Sequence, residues 1–158
     1  MSEKYLTGPT SASAGTGRPR GRPRSPAEAR GTVRRILAEQ TRAQGIACAA
    51  DTLSDALLVA SELTTNAMLH GGGITDFDVS VVGQNLYLSV SDREPRHPVT
   101  LSPTDPHGRH RCGGRGWPIV CRLSRTVRIA DLPAGGKRVT AVIPLKGVVE
   151  GGGSQDRP

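Results

Sequence analysis

The chain has 158 residues, 35% of them hydrophobic and 22% charged, with a formal net charge of +7. That length suits a single domain, and no apolar stretch reaches transmembrane length or forms a signal-peptide core, so the expected setting is cytoplasmic, without a membrane partner. Three scattered cysteines with no CxxC pair favour reduced thiols over a disulfide framework.

Residues 1–24 are rich in Gly, Ser, Thr, Pro and Arg and read as a disordered tail. They hold much of the positive charge. Within them residues 18–24, "RPRGRPR", resemble an AT-hook, which lays arginines into a narrow A·T minor groove; the ordinary alternative is a solubilising basic tail. The folded domain is expected over residues 25–146. Ser25 can cap a helix, Pro26 suits its first position and Glu28 completes a capping box. Ala29, Val33, Ile36 and Leu37 continue a helical stripe that ends near Gly45.

Thr52, with Asp55 three residues on, predicts the start of a second helix whose core face is Leu53, Leu57, Ala60, Leu63 and Ala67. Glu62, Asn66 and His70 recur every four residues on a flank turned away from that face. Gly71, Gly72 and Gly73 end the helix. A hairpin follows, with Phe77, Val79 and Val81 alternating, a turn at residues 83–85, and Leu86, Leu88 and Val90 alternating again. Residues 94–113 carry four prolines and three histidines with no periodicity, which predicts a mobile loop or lid. "GGRGWPIVCRL" then opens a short helix behind glycines, with Pro118 in its first turn. Val127 and Ile129, a "LPAGG" turn, and Val139, Ala141 and Ile143 supply two closing strands, and residues 147–158 read as a second disordered tail. The order is that of an α+β two-layer sandwich, with helices on one face of a mostly antiparallel sheet.

Four features fall at the edges of these elements. A carboxylate and an amide one turn apart, Glu62 and Asn66, can share a hard cation and its water shell. Asp92 ends a strand, where it can accept from a base or a ribose. The loop after it can cover a ligand. The glycines at 113, 114 and 116 precede a helix N-terminus, a favoured place for phosphate. Singly, each has an ordinary reading: a solvated surface pair, turn chemistry at a strand end, a flexible glycine stretch. Their order and spacing together mark a site. His107, His110, Cys112 and Cys121 match no common zinc spacing, and read as loop polarity and a small buried thiol.

The segments "ELTTNAMLHG" from Glu62, "DREP" from Asp92 and "GGRGWPIV" from Gly113 resemble the GHKL ATPase superfamily, closest to its small single-domain anti-sigma-factor serine/threonine kinases. The likeness spans residues 27–145 and implies the Bergerat fold, ATP and Mg²⁺ as cofactors, and a regulatory role. On that likeness Glu62 is the general base toward an attacking hydroxyl or water, and Asn66 is the ligand that holds Mg²⁺ between the nucleotide phosphates. Asp92 accepts from the adenine amino group, and Gly114 and Gly116 donate backbone N–H groups to phosphate beside Arg115 at the lid hinge. His70 has two readings, a phosphate-side contact or a residue interacting with the carbonyl end of its helix. The implied partners are a sigma factor, an anti-anti-sigma-like protein antagonist as phosphorylation substrate, or both; a homodimer is left open by the sequence. Two other readings stand beside this one: an ATP-binding adaptor without catalysis, and a nucleotide-switched regulator bound to DNA through residues 18–24. The sequence departs from the family at Trp117 and Pro118, where an aliphatic pair is common, and at Arg138, where a threonine near the nucleotide is common. It holds no phospho-accepting histidine box or second domain, which sets aside a sensor kinase or topoisomerase.

Overall fold

The computed structural model describes residues 5–6, 21–98 and 116–145. Helix α1 spans Pro26–Gln44 and starts as its sequence predicts. Ser25 Oγ accepts from the Glu28 backbone N–H at 3.2 Å, while Glu28 Oε2 accepts from the Arg24 N–H at 2.7 Å. The capping box thus closes one residue upstream of its usual partner. Gly45, in the left-handed region at φ 65°, ends the helix, as glycine does at least conformational cost. Ala29, Val33, Ile36 and Leu37 are all buried.

Helix α2 spans Ala50–Leu69, so its N-cap falls three residues before the cap predicted at Thr52. Ala49 is the extended N-cap residue and provides no side-chain cap; Thr52, 3% exposed, faces the interior instead. Burial on one helical face prevailed here over the capping preference of threonine. The core face is correspondingly rotated, to Ala56, Val59, Ala60, Leu63 and Ala67, with Leu53 and Leu57 partly buried at its margin.

Strands β2 (Ile74–Val82), β3 (Asn85–Asp92), β4 (Thr126–Asp131) and β5 (Lys137–Pro144) form an antiparallel sheet in the order β4-β5-β3-β2. A two-residue strand β1, Tyr5–Leu6, pairs in parallel with β4 at Val127 and Arg128, a pairing the tail's composition gave no sign of. Helix α3, Gly116–Leu123, precedes β4. Alternation along the strands assigns the faces. Phe77, Val79 and Val81 of β2, Leu86, Leu88 and Val90 of β3, Val127 and Ile129 of β4, and Val139, Ala141 and Ile143 of β5 are buried together with the helices in one core. This is the expected two-layer arrangement, helices on one face of a mostly antiparallel sheet.

The same parity positions two charged residues. Asp92 continues the inward row of Leu86, Leu88 and Val90, and Lys137 heads the inward row of β5. The register of β3 against β5 sets Asp92 opposite Lys137. Two core rows therefore end, side by side, in a carboxylate and an ammonium group.

Candidate functional site

Helix α2 is the spine of the site. Glu62 and Asn66 lie half-buried on one flank of it, about 6 Å apart along the axis at 1.5 Å per residue. Glu62 reaches the start of α3: a Cβ at Gly116 would collide with its Oε2. The bare Cα of Gly116 is thus what lets the carboxylate come up against this helix terminus, where the dipole favours negative charge. Trp117, the next residue, is buried in the core at 6% exposure, and Pro118 occupies the first turn, exposed, as expected.

The other end of α2 meets Asp92. His70 is the C-cap residue; its backbone N–H donates to Asn66 O at 2.9 Å and its side chain is exposed. It therefore stands at the Asp92 end, two turns from Glu62. Gly71 follows, and a Cβ there would sit 2.5 Å from the Asp92 Cγ and Oδ2, so only glycine lets the helix end press against this carboxylate. The Arg93 N–H donates to Gly71 O at 2.8 Å and the Arg93 guanidinium to Gly72 O at 3.0 Å. On the far side, Gly136 at φ 85° brings its Cα against the Asp92 carbonyl oxygen. Asp92 is held by glycines from two sides.

Asp92 is 5% exposed and fully engaged. Lys137 Nζ donates to its Oδ1 at 2.8 Å and its Oδ2 at 2.9 Å, and the Glu94 N–H donates to Oδ1 at 3.0 Å. Lys137, also 5% exposed, gives its third proton to the Glu94 carbonyl at 2.9 Å. The sequence reading singled out Asp92 and missed Lys137. The signal was available in the alternation itself, as a lysine in phase with Val139, Ala141 and Ile143. Beyond Asp92 the chain is tied down again: His97 Nε2 lies 2.7 Å from Asp131 Oδ1, and the Glu94 carboxyl is held below its usual range by hydrogen bonds from the Arg96 side chain and backbone.

Arg138 points elsewhere. It has the opposite parity to Lys137, and its guanidinium donates to Asp76 Oδ2 at 2.8 Å and to Ser91 Oγ at 3.1 Å. It is committed to the outer face of the sheet. Gly114, Arg115 and the lid expected over residues 94–113 lie outside the described residues, apart from residues 94–98; so do His107, His110 and Cys112. Among the described residues no group of three His, Cys, Asp or Glu side chains gathers to hold a metal ion, and no helix is long and apolar enough to cross a membrane.

The site thus has a carboxylate at a helix N-terminus, an amide one turn along, and a second carboxylate in a glycine cradle at the far end of the same helix. No curated protein matches the chain. The family model for a histidine kinase-like ATPase domain matches residues 23–143, from before the Ser25 cap to the last strand. The chain belongs to the family of histidine kinase-like ATPase domains.

Proposed function

We propose that the chain binds ATP with Mg²⁺ along helix α2 and acts as a regulatory protein kinase of the anti-sigma-factor type. Family membership implies ATP binding. The observation that carries the reading is that one helix presents candidate groups for both ends of a nucleotide, Asp92 against its last turn and Glu62 against the N-terminus of α3, about 13 Å apart along the axis. The glycine cradles at Gly71 and Gly116 fit that use, since each removes a side chain at a place where a ligand-facing carboxylate must sit.

In this reading Asp92 accepts from the exocyclic amine of adenine, and the backbone of Gly114 and Gly116, with Arg115, receives the phosphates. Asn66 supplies one oxygen to Mg²⁺, a cation that keeps most of its coordination for phosphate and water. Bound ATP supplies a transferable phosphoryl group. Glu62 takes the proton of an attacking hydroxyl, and its place at the helix end expected to hold phosphate puts the base next to the reacting group. The substrate class is a serine or threonine hydroxyl on a small protein antagonist, within a circuit that includes a sigma factor. The setting is cytoplasmic.

The test is calorimetric ATP affinity measured beside γ-phosphate transfer to co-purified partners, for wild type, Glu62→Gln and Asn66→Ala. Glu62→Gln should keep nucleotide affinity and lose turnover by about 10²–10⁴, the usual cost of removing a positioned base. Asn66→Ala should lose the Mg²⁺-dependent part of the affinity. Full turnover in Glu62→Gln would defeat the kinase reading, and ATP binding without transfer in the wild type would make the chain an adaptor.

A further inference from the structure

The ammonium group of Lys137 occupies the acceptor that a purine amine needs. A lysine ammonium has three N–H donors, and all three are spent here, two on the Asp92 carboxylate and one on Glu94 O. Asp92 in turn accepts three bonds, two from Lys137 and one from the Glu94 N–H. Side-chain exposure is 7% for Lys137 and 6% for Asp92. The pairs Arg35–Glu39 and Arg138–Asp76 are far more open to solvent. A buried pair of this kind repays its desolvation poorly compared with apolar residues of the same volume. Its place at the end of two core rows, where Leu or Val would continue the pattern, therefore asks for a use beyond stability.

We infer that Lys137 is an internal counter-ion that stands in for the base amine, and that nucleotide binding displaces it from Asp92. The inference rests on the reading of Asp92 as the base acceptor. At the carboxylate two N–H donors of Lys137 leave and one N–H from the base arrives, while water takes up the ammonium protons set free. The freed ammonium turns toward solvent on its flexible four-carbon stem. Because the same ammonium also holds Glu94 O, base binding loosens the first residues after β3 as well. Lys137 is thus a specificity-determining residue: a ligand must offer a donor good enough to replace an ion-pair hydrogen bond, and phosphate alone has none to offer. Bases without an exocyclic amine are penalised for the same reason.

The sequence contains only three lysines, Lys4, Lys137 and Lys146, so the side-chain ammonium signals of ¹⁵N-lysine-labelled full-length protein are few enough to follow by NMR. At mildly acidic pH and low temperature Lys137 should give a slowly exchanging ammonium signal. Saturation with ATP and Mg²⁺, verified by calorimetry, should shift that signal and speed its proton exchange by at least about tenfold, the factor one charge-assisted hydrogen bond represents. Tripolyphosphate with Mg²⁺ is the control without a base, and should leave the signal unchanged. An unchanged Lys137 signal under saturating ATP would overturn the inference while leaving ATP binding intact. The same response to tripolyphosphate would overturn it too, since the phosphates alone would be the cause. If ATP gives no binding heat at all, the nucleotide reading of the site fails, and the counter-ion role falls with it.

Discussion

Glycines shape this site by what they lack, and two of them should respond to the same substitution in opposite ways. A methyl group at Gly116 would meet the far end of the Glu62 side chain, which can swing away. Gly116→Ala should therefore leave the melting temperature nearly unchanged, and under the proposed kinase function it should lower phosphotransfer, up to the 10²–10⁴ that loss of a positioned base costs. A methyl group at Gly136 would meet the carbonyl of Asp92 on backbone that cannot yield, at φ 85°. Gly136→Ala should destabilise the fold by about 1–3 kcal/mol from the dihedral alone, read by urea denaturation. Lys137→Met tests the ion pair: it leaves a carboxylate buried without a counter-ion and should destabilise by about 3–5 kcal/mol, most of which the double change with Asp92→Leu should recover. Equal stability of the single and double variants would show that the pair is not coupled. The placement of Glu62 and Asn66 one turn apart on α2, and of Asp92 at a strand end, was legible because spacing survives in sequence as a pattern. Lys137 was not, because its meaning depends on the register between β3 and β5, which no single strand contains.

The elements show the same division between local and non-local information. The start of α1 was readable to the residue, since the contacts of Ser25 and Glu28 reach no further than four positions along the chain. The start of α2 was misread, because Thr52 serves the core, and packing against the sheet is not visible in a capping pattern. β2, at the sheet margin, is guarded from outside. Gln40 Oε1 accepts from the Val81 N–H at 2.6 Å, and Gln44 Nε2 donates to Val81 O at 3.1 Å. Two glutamines one turn apart on α1 thereby satisfy both outward peptide groups of Val81, a form of the edge protection that exposed strands need. Replacing both with alanine should cost about 1–3 kcal/mol, from two hydrogen bonds at roughly 0.5–1.5 each. It should also make the protein more prone to self-associate, measurable by sedimentation as concentration rises. A variant that stays as stable and as monodisperse as the wild type would show that the glutamines are ornamental.

On the scale of the whole molecule, one core joins the three helices among the described residues to the sheet, so unfolding should be a single cooperative transition. The only tryptophan, Trp117, is buried at the start of α3. Its fluorescence and the far-ultraviolet circular dichroism should therefore trace coincident curves. ATP with Mg²⁺ at about a hundred times its dissociation constant should stabilise both by about 2.7 kcal/mol, the linkage expected of a ligand bound only to the folded state. Separated curves would mean that α3 melts apart from the sheet. The fold as a whole was legible, because amphipathic period and strand alternation are repeated many times along the chain and errors average out. The Asp92–Lys137 pair has a further consequence, one of descent. Neither member can change alone without stranding the other's charge in the interior, so the two positions must drift together. Relatives that keep an acid at the end of β3 should keep a cation at the start of β5, and those that lose one should have lost both, leaving a heritable double mark of the ion pair.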